Sequence, residues 1–198
     1  MDIINNSNYQ ITLGSGSSRR KELLEMTGIK FDINSIPVNE DFPNSLKSKE
    51  IAEHIVINKS KPFRSIVKDN QIIITADTLV WFQEKCWGKP KDKIEAKNML
   101  KIFAGQTHQV ITAVGFLTST SFKILTESTL VKYKDLSEKE INYYVDSVNP
   151  IDKAGSYGIQ DWIGMIGVEN IKGSYTSVLG LPVPQVTNEI LNIINENL

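Results

Sequence analysis

The chain has one cysteine, no long apolar run and almost no net charge. A single cysteine, Cys86, excludes an intrachain disulfide framework and favours a reducing compartment. No apolar stretch approaches the ~18 residues that cross a bilayer. The first ten residues, MDIINNSNYQ, lack the basic start and the apolar centre of a secretory signal. We therefore expect a cytoplasmic protein without a membrane span.

Neither sign of charge is in excess. The 22 Lys and Arg residues nearly balance the 23 Asp and Glu residues, so the formal net charge is −1. This balance argues against bulk electrostatic affinity for nucleic acid or for a membrane surface. An anionic ligand would have to bind to a local group of basic side chains.

Several catalytic motifs are also absent. The sequence contains no H-E-x-x-H, no Cys/His cluster and no G-x-S-x-G, so zinc hydrolysis and serine-triad chemistry have little support. The spacing of a Walker A loop is missing. The segment G-S-G-S-S-R is not a dinucleotide fingerprint either, because Arg19 stands where the third glycine belongs.

The stretch TLGSGSSRRKELL, residues 12–24, predicts a strand, a Gly/Ser loop and the start of a helix. Ser17 or Ser18 suits the N-cap of that helix. Free backbone N–H groups, the helix dipole and the planar forks of Arg19 and Arg20 would together match phosphate oxygens. Two arginines on a first turn are equally ordinary on a solvent-facing helix, so the motif alone leaves both interpretations open.

Helical and strand patterns alternate along the rest of the chain, which favours one α/β (α+β) domain over residues 1–198 with a mixed central β-sheet flanked by helices. Residues 1–8 are expected to be a flexible lead. The predicted strands cover residues 9–13, 30–37, 71–75 with 79–82, 110–117, 122–133 and 163–168. Helices are predicted after the Gly/Ser loop and over residues 45–60, 92–105, 137–147 and 182–197. Asp92 with Glu95, and Ser137 with Glu140, predict capping boxes at the starts of two of these helices.

Charged residues of both signs are candidates for one site. The cations are Arg19, Arg20, Lys59 and Lys89, and the carboxylates are Glu40 and Asp77. Such a group suits a polyphosphate bound with Mg²⁺, which needs only one or two carboxylates besides phosphate oxygens. Asp77, which follows the β-branched run QIIIT, could instead cap a turn. Composition cannot show that these groups converge.

Six ordered segments carry a resemblance to a known family. They are LGSGSSRRKELLEMTGIKF (13–31), ITADTLV (74–80), GKPKDKIEAKNML (88–100), AGQTHQVITAV (104–114), PIDKAGSYGIQ (150–160) and GSYTSVLGLPVP (173–184). With the spacing between them, the chain resembles the Maf nucleoside triphosphate pyrophosphatases over roughly residues 9–190. The resemblance implies a two-lobed fold with a cleft, similar to that of inosine triphosphatases, and a homodimer. It also implies hydrolysis of a nucleoside triphosphate to the monophosphate and pyrophosphate with Mg²⁺ or Mn²⁺.

The resemblance assigns roles by position. It makes Asp77 the proton acceptor and places Ser15, Arg19 and Arg20 in the phosphate-binding loop. It matches Glu40, Lys59 and Lys89 to the remaining charged site residues. From their chemistry we expect Glu40 and Asp77 to bind the metal, and Lys59 and Lys89 to bind phosphate with the loop. The residues that mark family members acting on dTTP and UTP fall on Arg19, Thr78 and Gln160.

Two positions depart from the family pattern. Ser18 replaces the usual proline before the two arginines, and Asn39 replaces an aspartate in the usual V-D-E. Ser18 keeps the N–H donors of the helix start and adds a hydroxyl. Asn39 removes a negative charge near the expected metal, so metal affinity is the property it puts in question.

Two other functions compete with pyrimidine triphosphate hydrolysis. One is a non-enzymatic nucleotide-binding regulator of cell division or septum formation, which would need the phosphate loop but no proton acceptor. The other is a house-cleaning pyrophosphatase for purines of the inosine triphosphate type. The residues at 19, 78 and 160 count against the second.

Overall fold

The computed structural model describes residues 1–196 as a seven-stranded sheet with helices on both faces. The strands are β1 (Gln10–Leu13), β2 (Phe31–Ile33), β3 (Gln71–Phe82), β4 (Lys85–Trp87), β5 (Thr107–Leu117), β6 (Phe122–Tyr133) and β7 (Val168–Lys172). The helices are α1 (Asp2–Asn5), α2 (Ser18–Glu25), α3 (Lys49–Ser60), α4 (Lys93–Phe103), α5 (Glu138–Val148), α6 (Trp162–Gly167), α7 (Tyr175–Leu179) and α8 (Val183–Asn195). Short 3₁₀ turns cover Lys61–Phe63 and Ala154–Ser156.

The sheet is mixed, as the sequence predicted. Its order is β2-β1-β3-β5-β6-β7, and β4 pairs with the end of β3. β1 runs parallel to β2 and β3, whereas β3, β5, β6 and β7 are joined by antiparallel pairing. A parallel half and an antiparallel half therefore meet at β3, the strand that carries Asp77.

The central strand β3 divides one face of the sheet between two apolar clusters. On that face Ile72, Ile74 and Ala76 join a cluster with α2 and α8, whereas Val80 joins a second cluster with α4, α5 and α6. Half-buried Thr78 lies between the two. On the opposite face α3 packs on the sheet through a third cluster. The expected two lobes correspond to these two clusters, with the polar gap between them at Thr78.

One edge of β3 is open opposite Asp77. β1 pairs with β3 only as far as Ile74, and β4 begins to pair at Val80. The chain leaves β1 at Gly14, whose N–H donates to the carbonyl of Ile74 over 2.7 Å. A Cβ at Gly14 would lie 3.0 Å from the Thr75 side chain, so this close approach requires glycine. The Gly/Ser loop therefore turns away beside the part of β3 that bears Asp77.

Helix starts follow the predicted capping residues. Ser17 accepts a hydrogen bond from Arg20 N and begins α2, and Asp92 likewise caps α4 through Glu95 N. The predicted capping box at Ser137 and Glu140 is present in full at α5.

Two predicted segments are wrong. The expected flexible lead contains α1, whose Ile4 is 2% exposed and packs into the cluster with α8. The expected strand 163–168 is helix α6 followed by β7. In α6 the buried residues Ile163 and Gly167 are four positions apart, which is helical spacing, and Met165 points to solvent. The predicted helix end at residue 197 lies outside the described residues.

No helix within residues 1–196 is both long enough and apolar enough to span a membrane.

The packing of α1 gives a stability prediction. Ile4→Ala should lower the free energy of unfolding by about 2–4 kcal/mol, because it empties a buried isoleucine site. Urea unfolding measures this change, and the matched control is Ile3→Ala, since Ile3 is 64% exposed and should matter by less than about 0.5 kcal/mol. Equal stabilities for the two variants would show that α1 is not part of the core.

Candidate active site

A cleft of about 680 Å³ opens at the free edge of β3, and this volume is in the range of small-molecule sites. One wall is the Gly14–Arg20 loop, and the opposite wall is the segment 152–160 with the end of α7. The sequence-predicted residues that line it are Ser15, Arg19, Arg20, Glu40, Lys59, Asp77, Thr78, Lys89 and Gln160. Residues far apart in the chain, all predicted for one site, therefore share one cavity.

Lys59 of α3 connects the two carboxylates of the cleft. Its ammonium is 2.7 Å from Asp77 Oδ1 and 2.9 Å from Glu40 Oε1, and it also donates to the carbonyl of Ala76 over 3.3 Å. The side chains of Lys59 and Asp77 are only 16% and 11% exposed. All three donors of the ammonium are used, so in this geometry Lys59 neutralises carboxylates and has no donor left for a phosphate.

The pKa of Glu40 reflects this pairing. Burial alone would raise it, but the hydrogen bond and charge of Lys59, with a contribution from Lys89, hold it below its ordinary value. Glu40 is therefore ionised at neutral pH beside Asp77, and both carboxylates are available as oxygen ligands.

Arg20 is built into the wall of the cleft. Its Nε donates to the carbonyl of Gly180 over 2.9 Å, Nη1 to Ser15 Oγ over 3.2 Å and Nη2 to Thr78 Oγ1 over 3.2 Å. Burial lowers the pKa of the guanidinium, and the nearby charge of Asp77 opposes that effect. Two of the five N–H donors of an arginine are left for a ligand.

Arg19 connects the two walls of the cleft. Its Nη1 lies 3.1 Å from Asp152 Oδ2, and Asp152 also binds the neighbouring Lys153 over 2.9 Å. The Asp152 side chain is 59% exposed, so this ion pair is weak and a phosphate group can displace it. Lys89 is exposed at the cleft, in a turn held by a bond from Gly155 N to Gly88 O of 3.0 Å.

Comparison with known proteins decides the family. The model of the family described as Maf-like protein matches residues 10–193. The chain belongs to the Maf family. A dTTP/UTP pyrophosphatase of Christiangramia forsetii is 44% identical over 95% of this chain and 96% of that protein. A dTTP/UTP pyrophosphatase of Flavobacterium psychrophilum is 44% identical over 93% and 95%, and one of Phocaeicola vulgatus is 44% identical over 92% and 95%.

A solved structure is also similar over part of the chain. It is a nucleoside-triphosphatase / dITP/XTP pyrophosphatase from Mycobacterium abscessus, 12% identical over 63% of this chain and 72% of that chain, with a TM-score of 0.39.

Of the two departures of this Maf chain, Ser18 lines the cleft and Asn39 does not. Ser18 is the first residue of α2, directly after the capping Ser17. Asn39 turns towards Asp41, with its Nδ2 2.8 Å from Asp41 Oδ2, and does not line the cleft, whereas its neighbours Val38 and Glu40 do. The charge missing at Asn39 is therefore directed away from the carboxylate pair.

The donor set fits a hard divalent ion, although within residues 1–196 no three His, Cys, Asp or Glu side chains come together. Glu40 and Asp77 would supply two oxygen ligands beside the Lys59 ammonium, which contacts one oxygen of each. Mg²⁺ and Mn²⁺ accept such a partial set when phosphate oxygens and water complete it.

His108 supports the far wall of the cleft and was not predicted to do so. The ring is 1% exposed and its Nε2 lies 2.7 Å from the hydroxyl of Tyr157, which lines the cleft. Among the described residues His108 Nδ1 has no hydrogen-bond partner. Burial lowers the pKa of His108 to about 4, so the imidazole is neutral at pH 7. A histidine in an alternating strand gives no signal for this contact.

The Lys59 contacts predict how Glu40 titrates. In Lys59→Met the pKa of Glu40 should rise, because burial is then no longer opposed by the ammonium. Carbon NMR of the side-chain carboxyls measures the two titrations. Lys47→Met, which removes a surface partner of Glu84, is the control and should leave Glu40 unchanged. An identical Glu40 titration in the wild type and in Lys59→Met would contradict the pairing.

The buried imidazole predicts how stability depends on pH. Below its ordinary pKa of 6.5 the unfolded chain protonates His108, whereas the folded chain does so only near pH 4. The unfolded state then binds more protons, so stability should fall by about 2 kcal/mol between pH 7 and pH 5 from this group. Urea unfolding at both pH values should show a smaller fall in His108→Phe than in the wild type, and equal falls would refute the assignment.

Proposed function

We propose that this Maf protein hydrolyses dTTP and UTP to the monophosphate and pyrophosphate. The observation that carries the proposal is that Asp77 and Glu40 line one cleft together with Arg19 and Arg20. Three relatives that are 44% identical over nearly the whole chain are named dTTP/UTP pyrophosphatases. The site and the relatives support the same phosphoanhydride chemistry.

The triphosphate would bind along the Gly/Ser loop. Arg19 can exchange Asp152 for a phosphate group, because their ion pair is largely exposed. Arg20 offers two donors from a fixed position, and Lys89 is an exposed cation at the same cleft. Ser15 contributes by holding Arg20 through its hydroxyl. These groups would neutralise the charge that builds up on the leaving pyrophosphate.

Asp77 would act as the proton acceptor. Its Oδ1 accepts from Lys59, which leaves Oδ2 to take a proton from a water molecule in the cleft. The water oxygen would form a bond to the α-phosphorus, and the bond from that phosphorus to the bridging oxygen would break. Pyrophosphate then leaves with the bridging oxygen.

A divalent cation, Mg²⁺ or Mn²⁺, would be held by Glu40 and Asp77 together with phosphate oxygens. When bound, it would supply further neutralisation of the triphosphate charge. Lys59 would then hold the two carboxylates close to each other.

The preference for dTTP and UTP is proposed to depend on Arg19, Thr78 and Gln160. All three line the cleft, Arg19 and Gln160 from opposite walls and Thr78 from its floor. We also propose that the protein forms a homodimer and is located in the cytoplasm. The first depends on the family resemblance, and the second on a single unpaired cysteine.

The proposal predicts metal-dependent pyrophosphate release. A panel of dTTP, UTP, CTP, dATP, GTP, inosine triphosphate and 7-methyl-GTP, with and without Mg²⁺ or Mn²⁺, should give the fastest release from dTTP and UTP. Asp77→Asn should lower kcat by about 10²-fold or more, the range for loss of a general base. The control Asp69→Asn changes an exposed carboxylate outside the cleft and should keep wild-type turnover.

Each rival function has its own outcome in this panel. Release confined to inosine triphosphate would favour the purine house-cleaning function. Saturable triphosphate binding without release from any nucleotide would favour a regulatory binder. Wild-type turnover in folded Asp77→Asn would remove Asp77 from the mechanism.

A further inference from the structure

A chain of hydrogen-bonded hydroxyl groups runs from Arg20 to the wall formed by α7. Arg20 Nη2 lies 3.2 Å from Thr78 Oγ1, and Thr78 Oγ1 lies 2.9 Å from Thr112 Oγ1. Thr112 Oγ1 in turn lies 2.8 Å from the carbonyl oxygen of Ser177. Each distance is that of a hydrogen bond, and Thr112 is fully buried.

The donors in this chain follow from chemistry. A carbonyl oxygen only accepts, so Thr112 must donate its single hydroxyl proton to the carbonyl oxygen of Ser177. Thr112 then accepts a hydrogen bond from Thr78, which donates its own hydroxyl proton. Thr78 in turn accepts from the guanidinium of Arg20, which only donates. The order of donation is therefore Arg20 to Thr78 to Thr112 to Ser177.

This order limits what Thr78 can do in the cleft. Its hydroxyl proton is committed to Thr112 and one of its two lone pairs to Arg20, so towards a bound nucleotide it can only accept a hydrogen bond. Arg20 is attached to the same wall a second time by Nε and the carbonyl of Gly180. Thr78 and Thr112 together therefore set the position of the arginine fork.

Packing does not explain a threonine at position 112. Its neighbours on the same face of β5 are Val110 and Val114, which belong to the two apolar clusters on either side. Valine has nearly the shape of threonine and would fill the same space. What threonine adds is the hydroxyl, and the structure shows that hydroxyl between Thr78 and Ser177.

We propose that Thr112 is a positioning residue that fixes Arg20 through Thr78. This inference rests on the proposed triphosphate site. It adds Thr112 to the residues of the site and gives Thr78 a second role, the support of the phosphate-binding arginine.

The first test is calorimetric titration of the full chain with inorganic triphosphate, without divalent metal. Thr112→Val should weaken binding about five-fold, the scale of one hydrogen bond, because Arg20 loses its fixed partner. Thr112→Ser keeps the hydroxyl and should bind within about two-fold of the wild type on the same scale. Wild-type affinity in folded Thr112→Val, or equal losses in both variants, would overturn the proposal.

The second test examines the middle of the hydrogen-bond chain. Thr78→Val should weaken the binding of inorganic triphosphate, which has no base, by about five-fold, because Arg20 loses a fixed partner. Unchanged affinity for inorganic triphosphate in folded Thr78→Val, including a loss confined to dTTP, would overturn the proposal. The double variant Thr78→Val/Thr112→Val should bind triphosphate no more weakly than Thr78→Val alone, because the effects of residues in one hydrogen-bonded series are not additive. Additive losses of affinity would contradict the hydrogen-bonded series from Arg20 to Ser177.

These titrations remain decisive if one variant or the proposed activity fails. Circular dichroism checks the fold of every variant, and if Thr112→Val does not fold, the Thr78→Val comparison alone decides the outcome. Pyrophosphate release from dTTP by the wild type reports on the proposed function separately. Absence of release would refute that function. The affinities of the variants for inorganic triphosphate, relative to the wild type, would still support or overturn the positioning role of Thr112.

Discussion

The ammonium of Lys59 holds two carboxylates together, and the arrangement of the cleft depends on this contact. Asp77 sits in the middle of a strand that is buried on both faces, where an unpaired carboxylate would be costly. Lys59 contacts Asp77 from α3, which lies on the face of the sheet opposite α2. It also contacts Glu40, which lies in the loop before α3. A charged residue is thereby tolerated inside the sheet at the point where one strand edge is open.

The remaining charges of the cleft are divided between fixed and exchangeable groups. Arg20 is fixed by a carbonyl and two hydroxyls, so its orientation is set before any ligand arrives. Arg19 is paired only with the exposed Asp152, a contact that costs little to break. A site of this kind combines a preorganised donor with one that can follow the substrate, which suits a cleft that must bind a triphosphate and release pyrophosphate.

The local sequence pattern predicted strand bounds and helix starts correctly where one local interaction dominates. The strand 122–133 has its predicted bounds, and the caps at Ser17, Asp92 and Ser137 begin helices as expected. Local pattern failed where tertiary contacts compensate for a poor local signal. The polar start of the chain folds because Ile4 packs against the core, and β3 continues without a break through Asp77 because Lys59 neutralises it.

By itself the sequence determined the family, the mixed sheet and the residues that meet in the cleft, because these depend on ordered motifs and on the periodicity of apolar residues. Only the tertiary structure decided which groups pair. It placed Lys59 on two carboxylates, turned Asn39 away from the cleft and connected Arg20 to Ser177 through Thr78 and Thr112. Such partners are far apart in the chain. They are brought together by strand register and helix packing, which cannot be predicted from the local sequence around either residue.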